Sequence, residues 1–166
     1  MDWDKYFMSL VYLMSMKSKD ENTKQGAVIV GPDNEIRSTG YNGFPRGLND
    51  NIKERQERPE KYFWFEHAER NAIYNAVRHG TPLKGCRMYT GGVPCSDCAR
   101  GIIQAGINKV IVHKLWNESN NEMWIEHSKR TIQMFKECGV ELEFYDGEII
   151  EKITGRNNKK DVKLNY

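Results

Sequence analysis

One histidine and two cysteines, set far apart along the chain, constrain its fold more than any other feature. The stretch from residue 66 to 100 opens with His67-Ala68-Glu69 and closes with Pro94-Cys95-Ser96-Asp97-Cys98. These are three soft or borderline ligands, the number a catalytic zinc ion takes when its fourth position is left to water. For the three to meet, whatever lies between them must fold back on itself. The spacing of Ala68, Ala72, Ile73, Ala76 and Val77 predicts a helix from residue 66 to about 79, closed by Gly80. A strand over 86–90 follows, then a second helix over 95–105 stopped by Gly106. Pro94 stands where that helix begins, a position that tolerates a missing N–H. Cys95 and Cys98, three apart, then face one side of its first turn. His67 and Glu69 lie in the opening turn of the other helix. Two residues apart, they do not share a helical face, so one can bind metal while the other points toward a substrate.

The remaining pattern sets these helices in a layered fold. Trp3, Tyr6, Phe7, Leu10, Val11, Leu13 and Met14 recur at helical spacing over residues 2–17, with Met8, Met14 and Met16 as core filler. A polar loop over 18–24 leads to the apolar run 26–30, the turn cluster Gly31-Pro32-Asp33-Asn34 and a second strand over 35–41, a predicted hairpin. Residues 42–65 are irregular, a length that points to a functional or mobile loop. Within them, 53–58 reads as solvated surface. Beyond the second helix come a strand over 109–113, a helix over 120–138 bearing Met123, Trp124, Ile125, Ile132, Met134 and Phe135 and stopped by Gly139, and a strand over 140–145. Helix and strand alternate after residue 66, which argues for crossover units and an α/β sheet covered on both faces. We expect one domain over 1–150 and a polar tail over 151–166, with 156–161 a loose tail or an arm on a neighbour.

Composition narrows the partners. The 166 residues carry 25 Lys and Arg against 23 Asp and Glu, a net charge of +2, which implies no large nucleic-acid footprint. A hydrophobic fraction of 39% is low for a domain of this size, so metal binding or subunit contacts are expected to add stability. No apolar run reaches the length of a membrane span and the N-terminus lacks the order of a signal peptide, so a cytoplasmic protein is expected. Cys86 and Cys138 stand apart from the ligand pair and are expected to be small buried hydrophobes.

Glu69 gives the metal a purpose. A water on zinc can reach a pKa of about 7, and a carboxylate beside it can carry the proton away. Helix N-termini favour thiolate at the same place. A closed, purely structural zinc would need a fourth ligand, for which His79, His113 and His127 are available. Such a site needs no glutamate at this offset, so an open catalytic site is the expectation. Asp97 is close, but its spacing suits a helix N-terminal charge.

The His-x-Glu and Pro-Cys-x-x-Cys pairing is the known signature of zinc nucleobase deaminases. With it stand Ser18-Lys19-Asp20, Gly26-Ala27-Val28-Ile29-Val30, Gly40-Tyr41-Asn42-Gly43-Phe44-Pro45-Arg46-Gly47, His67-Ala68-Glu69-Arg70-Asn71-Ala72-Ile73 and Gly101-Ile102-Ile103-Gln104-Ala105-Gly106-Ile107. Over residues 18 to 112 the chain thereby resembles the deoxycytidylate (dCMP) deaminase family of the cytidine deaminase superfamily, the Gly-Tyr-Asn-Gly-x-Pro stretch selecting the dCMP branch. The resemblance implies a three-layer α/β/α fold around a five-stranded mixed sheet. It implies hydrolytic deamination of dCMP to dUMP, with His67, Cys95 and Cys98 holding one Zn2+ per subunit and Glu69 as proton shuttle. It implies substrate contacts from Asn42 and the Ala68 backbone, and stacking on the base by Trp116, where relatives carry a tyrosine. Lys19 and Lys24 are the candidates for the monophosphate. A homo-oligomer, a hexamer, activated by dCTP and inhibited by dTTP is also implied, with Mg2+ accompanying the triphosphate. Its regulatory nucleotide would lie near Gly40, Tyr41, Gly43, Arg46 and Gly47, where glycines let backbone approach a ligand and an arginine can fork onto phosphate. A deaminase acting within RNA or DNA would favour a basic, aromatic-lined surface, which the balanced charge does not supply. The remaining alternative is a zinc module without catalysis.

Overall fold

The computed structural model describes residues 1–118, 122–154 and 161–163. In chain order the elements are α1 (Trp3–Ser15), β1 (Gly26–Val30), β2 (Ile36–Tyr41), α2 (Lys61–Trp64), α3 (Ala68–His79), β3 (Arg87–Thr90), α4 (Ser96–Gln104), β4 (Lys109–His113), α5 (Lys114–Glu118), α6 (Glu122–Cys138), β5 (Glu141–Tyr145), β6 (Lys152–Thr154) and β7 (Asp161–Lys163). Five strands form one mixed sheet in the order β2-β1-β3-β4-β5. β1 runs antiparallel to both neighbours, while β3, β4 and β5 are parallel.

Strand alternation decides what covers each face. In β1, Ala27 and Ile29 pack with α3, α4 and α6, whereas Val28 and Val30 pack with α1. β4 repeats this, Val110 and Val112 joining the first layer and Ile111 the second. A strand sandwiched this way is apolar at every position, which is why 26–30 reads as one continuous run. The result is three layers, with α1 in one outer layer. Asp2 caps α1 through its carboxylate, which accepts from the Lys5 N–H at 2.7 Å. Phe7, Met8 and Val11 bury its inner face; Met14 packs at the edge and Met16 is exposed, so two of the three methionines join the core.

The seat of α3 fixes the rest. Its C-terminus closes on Gly80, left-handed at φ 65, whose N–H returns to the Ala76 and Val77 carbonyls. Its first two turns lie directly on β2. A Cβ at Gly40 would sit 2.3 Å from the Ala68 carbonyl oxygen and 2.4 Å from the Ala72 nitrogen. Side chains stitch the two together. Ser38 donates to the Ala72 carbonyl, Asn75 to that of Thr39 and Asn71 to that of Tyr41, at 2.7, 2.7 and 2.8 Å.

Other expectations change too. Residues 53–58 are not simply solvated: Lys53–Gln56 forms a 3-10 turn with Gln56 buried, and α2 follows at once. Arg55 stacks over the Trp64 ring at 4.0 Å and holds the two turns together. A short helix, α5, continues directly from β4, and α6 starts at Glu122; Asn120 lies outside the described residues, as do the side chains of Met123 and Trp124. Cys86 is buried, but Cys138 is exposed on the last turn of α6 and fills no core. Within 151–166, β6 and β7 pair antiparallel, and 155–160, which hold most of the expected loose arm, lie outside the described residues. Among the described residues no helix is long and apolar enough to cross a membrane.

Candidate active site

Two helix starts meet at the mouth of the sheet. His67 is the N-cap of α3 and Cys95 the N-cap of α4, both with extended backbone and neither using its side chain to cap. Freed from capping, both side chains turn toward one point. The Cys95 and Cys98 sulfurs each lie 3.5 Å from His67 Nδ1. A tetrahedral zinc with Zn–S of about 2.3 Å and Zn–N of about 2.0–2.1 Å has S···N edges of about 3.5–3.6 Å. The donor set and its spacing therefore fit that ion, and His67, Cys95 and Cys98 could hold it. No other group of three potential ligands comes this close among the described residues. His113 is engaged by Tyr12 at 2.5 Å and lies 3.1 Å from the Gly147 carbonyl oxygen, His127 lies 3.1 Å from Ser96 Oγ, and His79 ends α3, so none joins the cluster.

A hydrogen bond from Cys98, and then His67, hold the Cys95 thiol at about 3, while the same bond and burial push Cys98 well above its ordinary value. A divalent cation held between the two sulfurs lets both ionise. Burial lowers the pKa of His67, but the bond with Cys95 and the charge of Glu69 outweigh it and the net shift is upward. The Arg70 guanidinium lies 3.7 Å from the Cys98 sulfur and 2.5 Å from Glu66, a fixed cation beside the thiolates. Pro94 is held from behind: its carbonyl accepts from the buried Thr131 hydroxyl at 2.8 Å, and the Val93 N–H donates to Asn117 at 3.1 Å.

Glu69 does not diverge from His67 as two helical residues would. Because His67 is a cap and not a helical residue, both side chains reach the same pocket, and Glu69 Oε2 lies 3.7 Å from the Cys98 sulfur. Glu69 is buried, and burial raises its carboxyl pKa. Above it opens a cavity of about 140 Å³. His67, Ala68, Glu69 and Cys95 line its floor, and Asn42, Phe65, Val93 and Trp116 are among its walls.

The predicted residues divide between two cavities. Asn42, Ala68 and Trp116 line the first. The Asn42 amide is already engaged there: its oxygen accepts from the Gln25 N–H at 2.7 Å, and its nitrogen donates to the Thr23 carbonyl at 2.8 Å and to Asp20 at 3.2 Å. Tyr41, Gly43, Arg46 and Gly47 line a second cavity of about 400 Å³, together with Lys19. Gly40 lines neither and sits beneath α3. Lys19 pairs with Asp50, and Lys24 lies at a shallow groove behind Trp116, so neither lysine reaches the first cavity. An isolated bridge lies where the cavities adjoin: Gly43 and Glu66 line the second, their neighbours Asn42 and His67 the first, and Gly43 and Glu66 exchange both backbone hydrogen bonds at 3.0 and 2.9 Å. Among the first cavity's lining residues that sequence alone did not single out are Arg58, Lys61, Tyr62 and Phe65. For Tyr62 and Phe65 a signal existed in the aromatic run Tyr62-Phe63-Trp64-Phe65.

This layered sheet and ligand cluster define a zinc-binding deaminase fold. The family described as "Cytidine and deoxycytidylate deaminase zinc-binding region" matches residues 1–114, and the chain belongs to it. Human deoxycytidylate deaminase is 43% identical over 116 residues, 67% of this chain and 64% of that protein, so the chain spans about two thirds of that relative's length. An uncharacterized deaminase of Aliivibrio fischeri is 38% identical over 149 residues, 90% of this chain and 97% of its own. Among solved structures, dCMP deaminase from the cyanophage S-TIM5 in complex with dCMP and dUMP superposes with a TM-score of 0.69 at 26% identity, covering 86% of this chain and 96% of that one.

Proposed function

We propose that this chain deaminates dCMP to dUMP, with water consumed and ammonia released. The observation that carries the reading is a buried glutamate beside a His/Cys/Cys cluster at the floor of a cavity. The likeness to deoxycytidylate deaminases supports the choice of substrate. Zinc bound by His67, Cys95 and Cys98 would supply a Lewis acid with an open position for water and lower that water's pKa to about 7. Glu69, its pKa raised by burial, takes a proton from the water and delivers it to the ring nitrogen beside the amino-bearing carbon. The water oxygen forms the new C–O bond, the C–N bond breaks, and Glu69 passes a proton to the departing ammonia. Trp116 and Phe65 bound the base, and the Ala68 backbone meets its edge.

The reading extends to regulation. We assign a nucleoside triphosphate with Mg2+ to the second cavity, lined by Arg46 and Lys19, from which dCTP as activator and dTTP as inhibitor would act on the first through the Gly43–Glu66 bridge. A cytoplasmic hexamer is part of the same reading, with no nucleic-acid or membrane partner. The test is ammonia release by the zinc-loaded chain from dCMP, CMP, dCTP and a single-stranded oligonucleotide. Preference for dCMP is expected; turnover of the oligonucleotide alone would replace this reading with that of a nucleic-acid deaminase. Kinetics in dCMP that ignore dCTP and dTTP would remove the regulatory part.

A further inference from the structure

We infer that Arg58 anchors the 5′-phosphate and sets the preference for nucleotide over nucleoside, an inference that rests on the dCMP reading. Besides the ligand His67, two cations line the first cavity, Arg58 and Lys61. Lys61 is committed elsewhere. Its Nζ lies 2.7 Å from Asp20 Oδ2, with side chains 7% and 3% exposed. Asp20 accepts further from the N–H groups of Asn22 and Thr23 and from Asn42. Ammonium and carboxylate neutralise each other there, so this buried pair shows the cavity no net charge.

Arg58 is exposed at the same cavity, and no ion pair holds its guanidinium among the described residues. The backbone around it is ordered on both sides. Gln56 reaches the Lys19 carbonyl at 3.4 Å, and the Lys61 N–H returns to the Glu57 carbonyl at 2.8 Å. A base that presents its amino-bearing carbon to Glu69 at the floor must send its sugar and phosphate toward the exposed side. There a guanidinium can fork onto phosphate oxygens, which a lysine cannot do. Lys19 and Lys24, the cations that sequence alone suggested, face other surfaces.

The experiment compares the zinc-loaded wild-type chain with Arg58→Ala and Arg58→Lys. It measures kcat and KM for dCMP and deoxycytidine, and binding of dUMP and deoxyuridine by calorimetry. In Arg58→Ala the preference for dCMP over deoxycytidine should fall about ten- to hundredfold, the size of a lost hydrogen bond to a charged group. The change should appear in KM with kcat within about threefold, because a rim contact made equally in ground and transition states is uniform binding. Arg58→Lys should recover part of the loss. The advantage of dUMP over deoxyuridine should shrink in parallel and lose part of its salt dependence. An unchanged KM for dCMP in Arg58→Ala, with wild type still preferring dCMP, overturns the role of Arg58 and leaves the dCMP reading intact. Equal loss with dCMP and deoxycytidine also overturns it, since the residue would then be structural. A wild-type chain that treats dCMP and deoxycytidine alike overturns both.

Discussion

Replacing Gly40 by alanine tests whether the Gly-Tyr-Asn-Gly stretch seats a helix or approaches a ligand. The added Cβ would fall 2.3 Å from the Ala68 carbonyl oxygen and 2.4 Å from the Ala72 nitrogen, both backbone atoms of α3. That is about 1 Å short of ordinary contact, and backbone held on β2 by Ser38, Asn71 and Asn75 cannot swing aside. Overpacking of this kind costs about 1–3 kcal/mol. Against it stands a gain of about 0.4–1 kcal/mol from the stiffer unfolded chain. The clash wins, leaving about 1–2 kcal/mol of destabilisation, or about 2–8 °C in Tm for a chain of this length. The same displacement moves His67 and Glu69 relative to Cys95 and Cys98, and a misplacement near 1 Å lowers kcat by about a hundredfold. Gly43→Ala is the control, because a Cβ there meets nothing within 4 Å. Thermal unfolding and kcat of the zinc-loaded variants decide the matter. If Gly40→Ala is as stable and as active as Gly43→Ala, α3 does not rest on Gly40 and the argument fails.

Glu69→Gln should keep one zinc per chain by metal analysis while losing about 10²–10⁴ in kcat; full activity would remove the proton shuttle. In the wild type, because burial raises the Glu69 carboxyl pKa above 4.5, kcat/KM should fall with decreasing pH through a limb above that value, as the base takes up its proton. Lys61→Met should destabilise by about 3 kcal/mol in denaturant unfolding by leaving Asp20 buried and unpaired, and adding Asp20→Asn should restore part of it; a harmless Lys61→Met would show the pair to be solvated. Zinc chelation should add Cys95, held at about 3, to Cys138 as a thiol that reacts at neutral pH, while buried Cys86, whose pKa burial raises, stays inert. Reaction of Cys95 at the same rate before and after chelation would show that it holds no metal.

What the sequence showed and what it hid follow one physical rule. A strand buried on both faces must be apolar throughout, and residues 26–30 could be bounded to the residue. The ligand cluster was legible because metal chemistry restricts the residue types. That His67 and Cys95 are caps was not, since neither is a side chain that caps helices, and this is why Glu69 and His67 converge instead of diverging. The fate of charged loop residues was hidden too. Lys19, Lys24, Arg58 and Lys61 look alike in a polar stretch, and contacts across dozens of residues, such as Lys61 with Asp20, decide which of them meets the cavity. Asn42 shows the same limit: its partners Gln25, Thr23 and Asp20 belong to the preceding loop and strand.

The segment that leads into α3 now carries more than chemistry. Glu66 pairs with Gly43 between the two cavities, His67 turns toward the Cys95 and Cys98 sulfurs, and Glu69 enters the floor of the first cavity. These residues sit within four positions of one another, so they cannot be placed independently. The start of the helix and the two residues before it must be set correctly together. Gly40 fixes its height above the sheet, and Ser38, Asn71 and Asn75 fix its position along β2. The glycine-bearing stretch therefore acts first as the seat of the helix. Any contact it makes with a nucleotide from the far cavity would act on the metal site through that seat, because the bridge and the metal ligand are neighbours in the chain.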